Sequence, residues 1–299
     1  MSGAEQEAGE RRGGVRGGRP TGGLEASAGT AGLQRMHGRA AVALADGPRG
    51  ARLVRLFQQG SAKALLPRVY GGLPEVVFLN TAGGLTGGDD LGYELTLGPD
   101  ARAVATTQAA ERVYRSLSGA ARVEVSLSVG PGAVLHWLPQ ETILFDRAAL
   151  HRRTRAELSG DARLVMAETV ILGRAAMGER LAEVDLLDWR EVRRDGEPVL
   201  LEPVRLTTAM LDHRTSPALL GEAVAFASLA LVDLRAEERL AECRQCLHSL
   251  PDGVEAAVSA LKGRLVVRAL ARDSFALRRL VTVCLGVLTG APLPRVWNL

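Results

Sequence analysis

From about Leu33 the chain is a succession of short apolar runs, some of them alternating with a period of two, broken by turn residues. Arg122-Val123-Glu124-Val125-Ser126-Leu127-Ser128-Val129 alternates without a fault, which puts four apolar side chains on one face and four polar ones on the other. Other strand-like runs, apolar or alternating, cover Arg52 to Phe57, Val76 to Leu79, Tyr93 to Leu97, Ala101 to Thr107, Ala133 to Leu138, Thr154 to Leu158, Arg163 to Leu172 and Val199 to Leu206. The connectors Gly98-Pro99-Asp100, Gly130-Pro131-Gly132, Ser159-Gly160-Asp161 and Asp195-Gly196 have tight-turn chemistry. Joined in this way the runs predict hairpin after hairpin, and the first two thirds of the chain should be dominated by antiparallel strands.

The last third changes period. Ala236 to Leu247 is rich in helix formers and places Leu240, Cys243 and Leu247 on one face. Asp273 or Ser274 predicts the cap of a second helix running to about Leu288, with an apolar stripe of Leu277, Leu280, Val281 and Cys284. Arg264 to Arg268, between them, reads as a strand. Residues 1–32 hold ten glycines and almost no bulky apolar residue, so they predict a disordered Gly/Arg-rich tail ahead of a single domain spanning 33–299.

Composition narrows the class. Hydrophobic residues make up 46% of the chain, enough for a substantial core, and a net charge of +3 gives no strong field for nucleic acid or a membrane surface. No run of about eighteen apolar residues exists and no secretory leader is visible, which makes a cytoplasmic protein the expectation. Three cysteines do not make a disulfide framework. Cys243 and Cys246 have the spacing of half a zinc site, but no second pair follows.

One stretch stands apart. Asn80-Thr81-Ala82-Gly83-Gly84-Leu85-Thr86-Gly87-Gly88-Asp89-Asp90 falls between two strand-like runs, and its four glycines permit close approach of another chain or a ligand. A phosphate loop would end in Gly-Lys-Ser/Thr and open a helix, whereas here two carboxylates precede a strand. A structural turn and a small-molecule hydrolase site using Asp89 or Asp90 both remain open. No Gly-x-Ser-x-Gly elbow occurs. Glu141, Asp146, Glu168 and Glu179 fall near turns or strand ends. Glu168 also interrupts an apolar run, so if it points inward it needs an arginine, a water-filled passage or a cation.

Taken in order, several motifs resemble one family, the urease accessory protein UreD, called UreH in some organisms. They are Gly83-Gly84-Leu85 with Gly87-Gly88-Asp89; Thr106-Thr107 with Tyr114-Arg115-Ser116; and Trp137-Leu138-Pro139-Gln140-Glu141-Thr142-Ile143 with Phe145-Asp146. Glu168 with Gly173-Arg174, Ala176 and Gly178-Glu179 follows, and Pro294-Arg295-Val296-Trp297 closes the series. The loop departs from the family pattern at Thr81-Ala82, where two prolines are usual, and at Asp90, where a basic residue is usual.

The resemblance implies a mainly β fold of stacked, helically arranged strands with two α-helices in the C-terminal third. It implies no catalysis by this chain and no tightly bound cofactor. Instead it implies a maturation scaffold that binds the urease apoprotein and, with UreF and through it the GTPase UreG, delivers nickel as transient cargo. On this reading Gly83, Gly84, Gly87, Gly88, Asp89, Tyr114 and Arg115 are interface or fold-defining residues. Glu141, Asp146, Glu168 and Glu179 are candidates for a polar nickel passage, because carboxylates and water release the ion more readily than clustered Cys and His.

Overall fold

The computed structural model describes residues 35–48, 50–174 and 177–298. The expected tail over 1–32 lies outside the described residues, as does Ala176 of the matched motifs. What is described is mainly β, with strands stacked as coils between two large sheets and three helices, the short α1 (Thr208–Leu211) and two in the C-terminal part.

The first sheet takes β1 (His37–Ala45), β2 (Arg52–Gly60), β5 (Asp90–Leu97), β8 (Ala121–Val129), β11 (Ala148–Leu158), β13 (Val184–Arg194) and β14 (Glu197–Thr207), in the spatial order β14-β13-β11-β8-β5-β1-β2. The second contains β3 (Ala62–Leu65), β4 (Glu75–Asn80), β6 (Arg102–Thr107), β9 (Val134–Leu138), β12 (Arg163–Leu172), β15 (Ala225–Val232), β16 (Val254–Leu261) and β17 (Arg264–Ala271), with β7 (Glu111–Val113) and β10 (Thr142–Leu144) as a short ladder beside β12. The chain passes from one sheet to the other and back. In consequence β5, β8, β11 and β13 lie parallel to one another, as do β4, β6, β9 and β12.

This corrects the hairpin reading of three connectors. Gly98-Pro99-Asp100, Gly130-Pro131-Gly132 and Ser159-Gly160-Asp161 are corners that carry the chain between sheets. Their polar groups bond to the next corner along the stack: the Asp100 N–H donates to the Pro131 carbonyl at 2.9 Å, the Gly132 N–H to Asp161 Oδ1 at 2.7 Å, and the Gly160 N–H to Asp195 Oδ1 at 2.9 Å. The strands on either side of each corner therefore face one another across a core instead of sharing an edge. Asp195-Gly196 does close a hairpin, both residues having positive φ (51° and 83°), and β13 and β14 pair antiparallel.

Two apolar clusters fill the fold. One lies between the stacked coils and includes Phe78, Leu95, Leu127, Trp137, Leu150 and Leu164. The other lies beneath the C-terminal helices. There α2 (Leu240–Cys246) follows a short 3-10 turn, and α3 (Ser274–Thr289) starts at Asp273, whose carboxylate accepts the Phe275 and Ala276 N–H groups at 3.1 Å each. The predicted stripe of α3 is buried, and Gly290 ends the helix in the left-handed conformation. Cys243 and Cys284 are buried in this second cluster, where desolvation pushes their thiols up to about 11 and about 12. No helix among the described residues is long and apolar enough to cross a membrane.

Candidate functional site

The glycine stretch joins β4 to β5 and is held by neighbouring backbone. Leu85 is fully buried; its N–H donates to the Arg112 carbonyl at 2.8 Å and its carbonyl accepts the Tyr114 N–H at 2.7 Å. Gly84 has a φ of 153°, and a Cβ there would run into the Tyr114 ring and the Arg112 carbonyl oxygen. Asp89 is buried, its two oxygens accepting the N–H groups of Met36 at 2.9 Å and Thr86 at 2.7 Å. Asp90 pairs with Arg39 at 2.7 Å. Both carboxylates are thus engaged by the protein itself.

Beside this loop lies an open cleft of about 370 Å³ lined by Tyr114, Arg115, Phe145, Asp146, Arg147, Arg174 and Glu179. The Tyr114 hydroxyl donates to the Gly83 carbonyl at 3.2 Å, and its ring meets Phe145 edge-on at 4.9 Å. Arg174 stacks over Phe145 at 4.3 Å and grips Glu179 with two hydrogen bonds of 2.9 and 3.0 Å. That grip holds the Glu179 carboxyl below its usual range. Desolvation works to raise Asp146, but the N–H groups of Ala182 and Glu183, with Arg147, overcome it and lower the carboxyl. Residues widely separated in sequence, Tyr114, Arg115, Asp146 and Glu179, therefore share one surface.

Glu168 lies elsewhere, between the sheets. Its Oε2 is 2.8 Å from the Arg152 guanidinium, which also grips Asp188 with bonds of 3.0 and 2.8 Å and donates to Thr142 Oγ1 at 2.9 Å. Arg190 continues the line, 3.8 Å from Asp188 and 3.5 Å from Glu202. Glu202 accepts from the Ser228 hydroxyl, which lies 2.9 and 2.8 Å from its two oxygens and shares one proton between them, and from Arg268 at 2.7 Å. Burial raises the Glu168 carboxyl, against the lowering effect of Arg152; for Asp188, Arg152 prevails over burial and the carboxyl is lowered. Glu111 is pushed up to about 7, chiefly by desolvation.

This line of charges links two spaces. Glu111, Thr142, Arg152 and Glu168 border a small internal cavity of about 40 Å³. Arg190, Glu202, Ser228 and Arg268 border a groove of about 680 Å³ between β14 and the strands β15 to β17. Glu141 belongs to neither. It pairs with Arg278 of α3, which stacks on Trp297 at 4.9 Å and donates to the Trp297 carbonyl at 2.8 Å, clasping the C-terminal segment. Of the four candidate passage carboxylates, then, one lies on the internal line, two in the cleft and one in the clasp.

Glu111, Arg152, Asp188, Arg190 and Glu202 were not singled out from sequence. The signal was present in the strand phase: Arg152 alternates with Leu150 and Thr154, and Asp188 and Arg190 with Leu186 and Val192, all at core-facing positions. A charge repeated in the buried phase of a strand marks an internal polar network. Among the described residues no three His, Cys, Asp or Glu side chains converge closely enough to hold a metal ion.

Comparison with known proteins agrees with the motif order. The profile of the UreD urease accessory protein family matches residues 36–298. The urease accessory protein UreD of Cereibacter sphaeroides (strain ATCC 17025) is 52% identical over 265 residues, 89% of this chain and 96% of the relative. That of Paracoccus denitrificans is 48% identical, covering 89% and 93% of the two chains, and that of Agrobacterium fabrum 41% identical, covering 89% and 92%.

Proposed function

Because the chain belongs to the UreD urease accessory protein family, we propose that its part in urease maturation is that of a cytoplasmic, non-catalytic scaffold. It binds the urease apoprotein and, together with UreF and the GTPase UreG, helps nickel reach the urease active site. The ion is transient cargo. The observation that carries this reading is the internal line from Glu111 and Glu168 through Asp188 to Glu202, running from the small cavity to the open groove.

The chemistry of that line suits transfer better than storage. Its donors are carboxylates and hydroxyls, which bind a divalent ion without the strong hold of grouped thiolates or imidazoles. Arg152 and Arg190 neutralise the carboxylates when no ion is present, so an entering cation competes with a guanidinium at each step. Glu168 is the donor best placed to exchange partners: its Oε2 lies 2.8 Å from Arg152 without a well-directed hydrogen bond. The cleft of Tyr114, Arg115, Asp146 and Glu179 has a different task in this reading, a contact surface for a partner, since Tyr and Arg anchor interfaces well.

The test is co-expression of apo-urease and the other maturation proteins with wild-type chain, Glu168→Gln or Glu202→Gln. Complex assembly is read by co-purification and nickel per urease by mass spectrometry. Each variant is expected to assemble while urease nickel falls several-fold. Full nickel content in an assembled complex would remove the residue from the route.

A further inference from the structure

At one end of the first sheet, β2 pairs with β1 along a single edge, and no strand among the described residues takes the other. All nine of its residues are exposed, and Leu53, Val54, Leu56 and Phe57 remain between 40% and 57% accessible. Leu53 and Leu56 lie opposite Leu44 and Val42, buried residues of the core face, so they extend that face beyond its last covered strand. Arg55 and Phe57 lie opposite Ala43 and Ala41 on the outer face. At its far end the edge is closed, because Gln58 Oε1 accepts the Ala64 N–H of β3 at 3.0 Å. From Arg52 to Phe57 it is open. An open edge is a template for another strand. Here it carries a bulge at Val54 and the charged residues Arg52 and Arg55, which discourage unselective pairing and leave room for a partner of opposite charge.

Charge indicates what would cover it. No Asp or Glu stands between Asp46 and Glu75, whereas Arg52, Arg55, Lys63 and Arg68 do. Among the described residues none of these four meets a carboxylate; Lys63 donates instead to the Gly60 carbonyl at 2.9 Å. A second copy of the chain would bring the same positive charges to the seam. An extended segment of alternating apolar and acidic residues would lay its apolar side chains over Leu53 and Leu56 and its carboxylates beside Arg55. We propose that β2 docks such a segment of a partner protein as an added strand. The inference rests on the scaffold role and adds to it a place and a mode of binding.

The probe is a fluorescein-labelled peptide of alternating Val and Glu, compared with its Val/Lys counterpart by anisotropy against the full chain. The Glu peptide is expected to bind at least tenfold more tightly, and Arg55→Glu to reverse the preference; Arg55 is exposed, and circular dichroism checks that the variant folds. A proline at the centre of the peptide, which removes a ladder N–H, is expected to abolish binding. Equal binding of both peptides, or full binding of the proline peptide, overturns the proposal. So does a dimer in sedimentation that Leu56→Asp dissociates, because a second copy then occupies the edge. Activation of co-expressed urease by the wild-type chain is measured in parallel. Its absence sinks the maturation role, whereas activation without peptide preference sinks only strand docking.

Discussion

Asp89 shows how one side chain can tie a motif to its surroundings. Its two oxygens take the N–H groups of Met36 and Thr86, so it fixes the entry to β1 against the glycine loop. Leaving a buried donor unsatisfied costs about 1–3 kcal/mol. Asp89→Ala is therefore expected to lose roughly 2–4 kcal/mol in urea unfolding, and a variant as stable as wild type would contradict the fold-defining role. Glu111 provides the pH-sensitive counterpart. Its carboxyl is raised from 4.5 to about 7, so the folded state holds the proton more tightly than the unfolded chain does. The stability this gives is complete below pH 4.5 and is lost as pH rises through about 7. Glu111→Gln is accordingly expected to gain stability relative to wild type between pH 5 and pH 8, by on the order of 2–3 kcal/mol. Parallel pH profiles for the two proteins would refute it.

Elements divide into what a local pattern specifies and what it leaves open. The strand of Arg122 to Val129 and the helix begun at Asp273 were legible because alternation and capping are local. Asp273→Ala is expected to cost about 1 kcal/mol, seen as faster amide exchange in the first turn of α3; unchanged exchange there would show that the cap contributes nothing. Strand partners were not legible. An alternating strand buries the same face whether its successor pairs beside it or crosses to the opposite sheet, and Gly-Pro-Asp or Gly-Pro-Gly connectors serve both routes. The deciding bonds run from corner to corner, as from Asp100 to Pro131, between residues about one coil apart in sequence. Glu168 could be marked as needing a partner because it breaks an apolar run. Arg152, Asp188 and Arg190 carry no such mark, because each follows the strand period and is unusual only in its phase.

Across the whole molecule the polar line is also a seam, since Arg152, Asp188, Arg190 and Glu202 come from the first sheet while Glu168, Ser228 and Arg268 come from the second. Arg152 is its keystone, serving Asp188, Glu168 and Thr142 at once. Removing one partner from a buried ionic group is strongly destabilising, about 3–5 kcal/mol, because the remaining charge stays out of water. Arg152→Met is expected to lose that much at pH 7.5. Burial already raises the Glu168 carboxyl, and the variant removes the guanidinium that opposes the rise, so Glu168 binds a proton more readily still. Part of the loss should therefore return at pH 5.5, where protonation discharges Glu168. Adding Glu168→Gln to Arg152→Met should recover that same part at pH 7.5, the remainder reflecting the lost bonds to Asp188, and leave little further change at pH 5.5. Urea unfolding of the two single variants and the double variant at both pH values checks this, and a loss independent of pH would mean that packing of the arginine stem, rather than its charge, joins the two sheets.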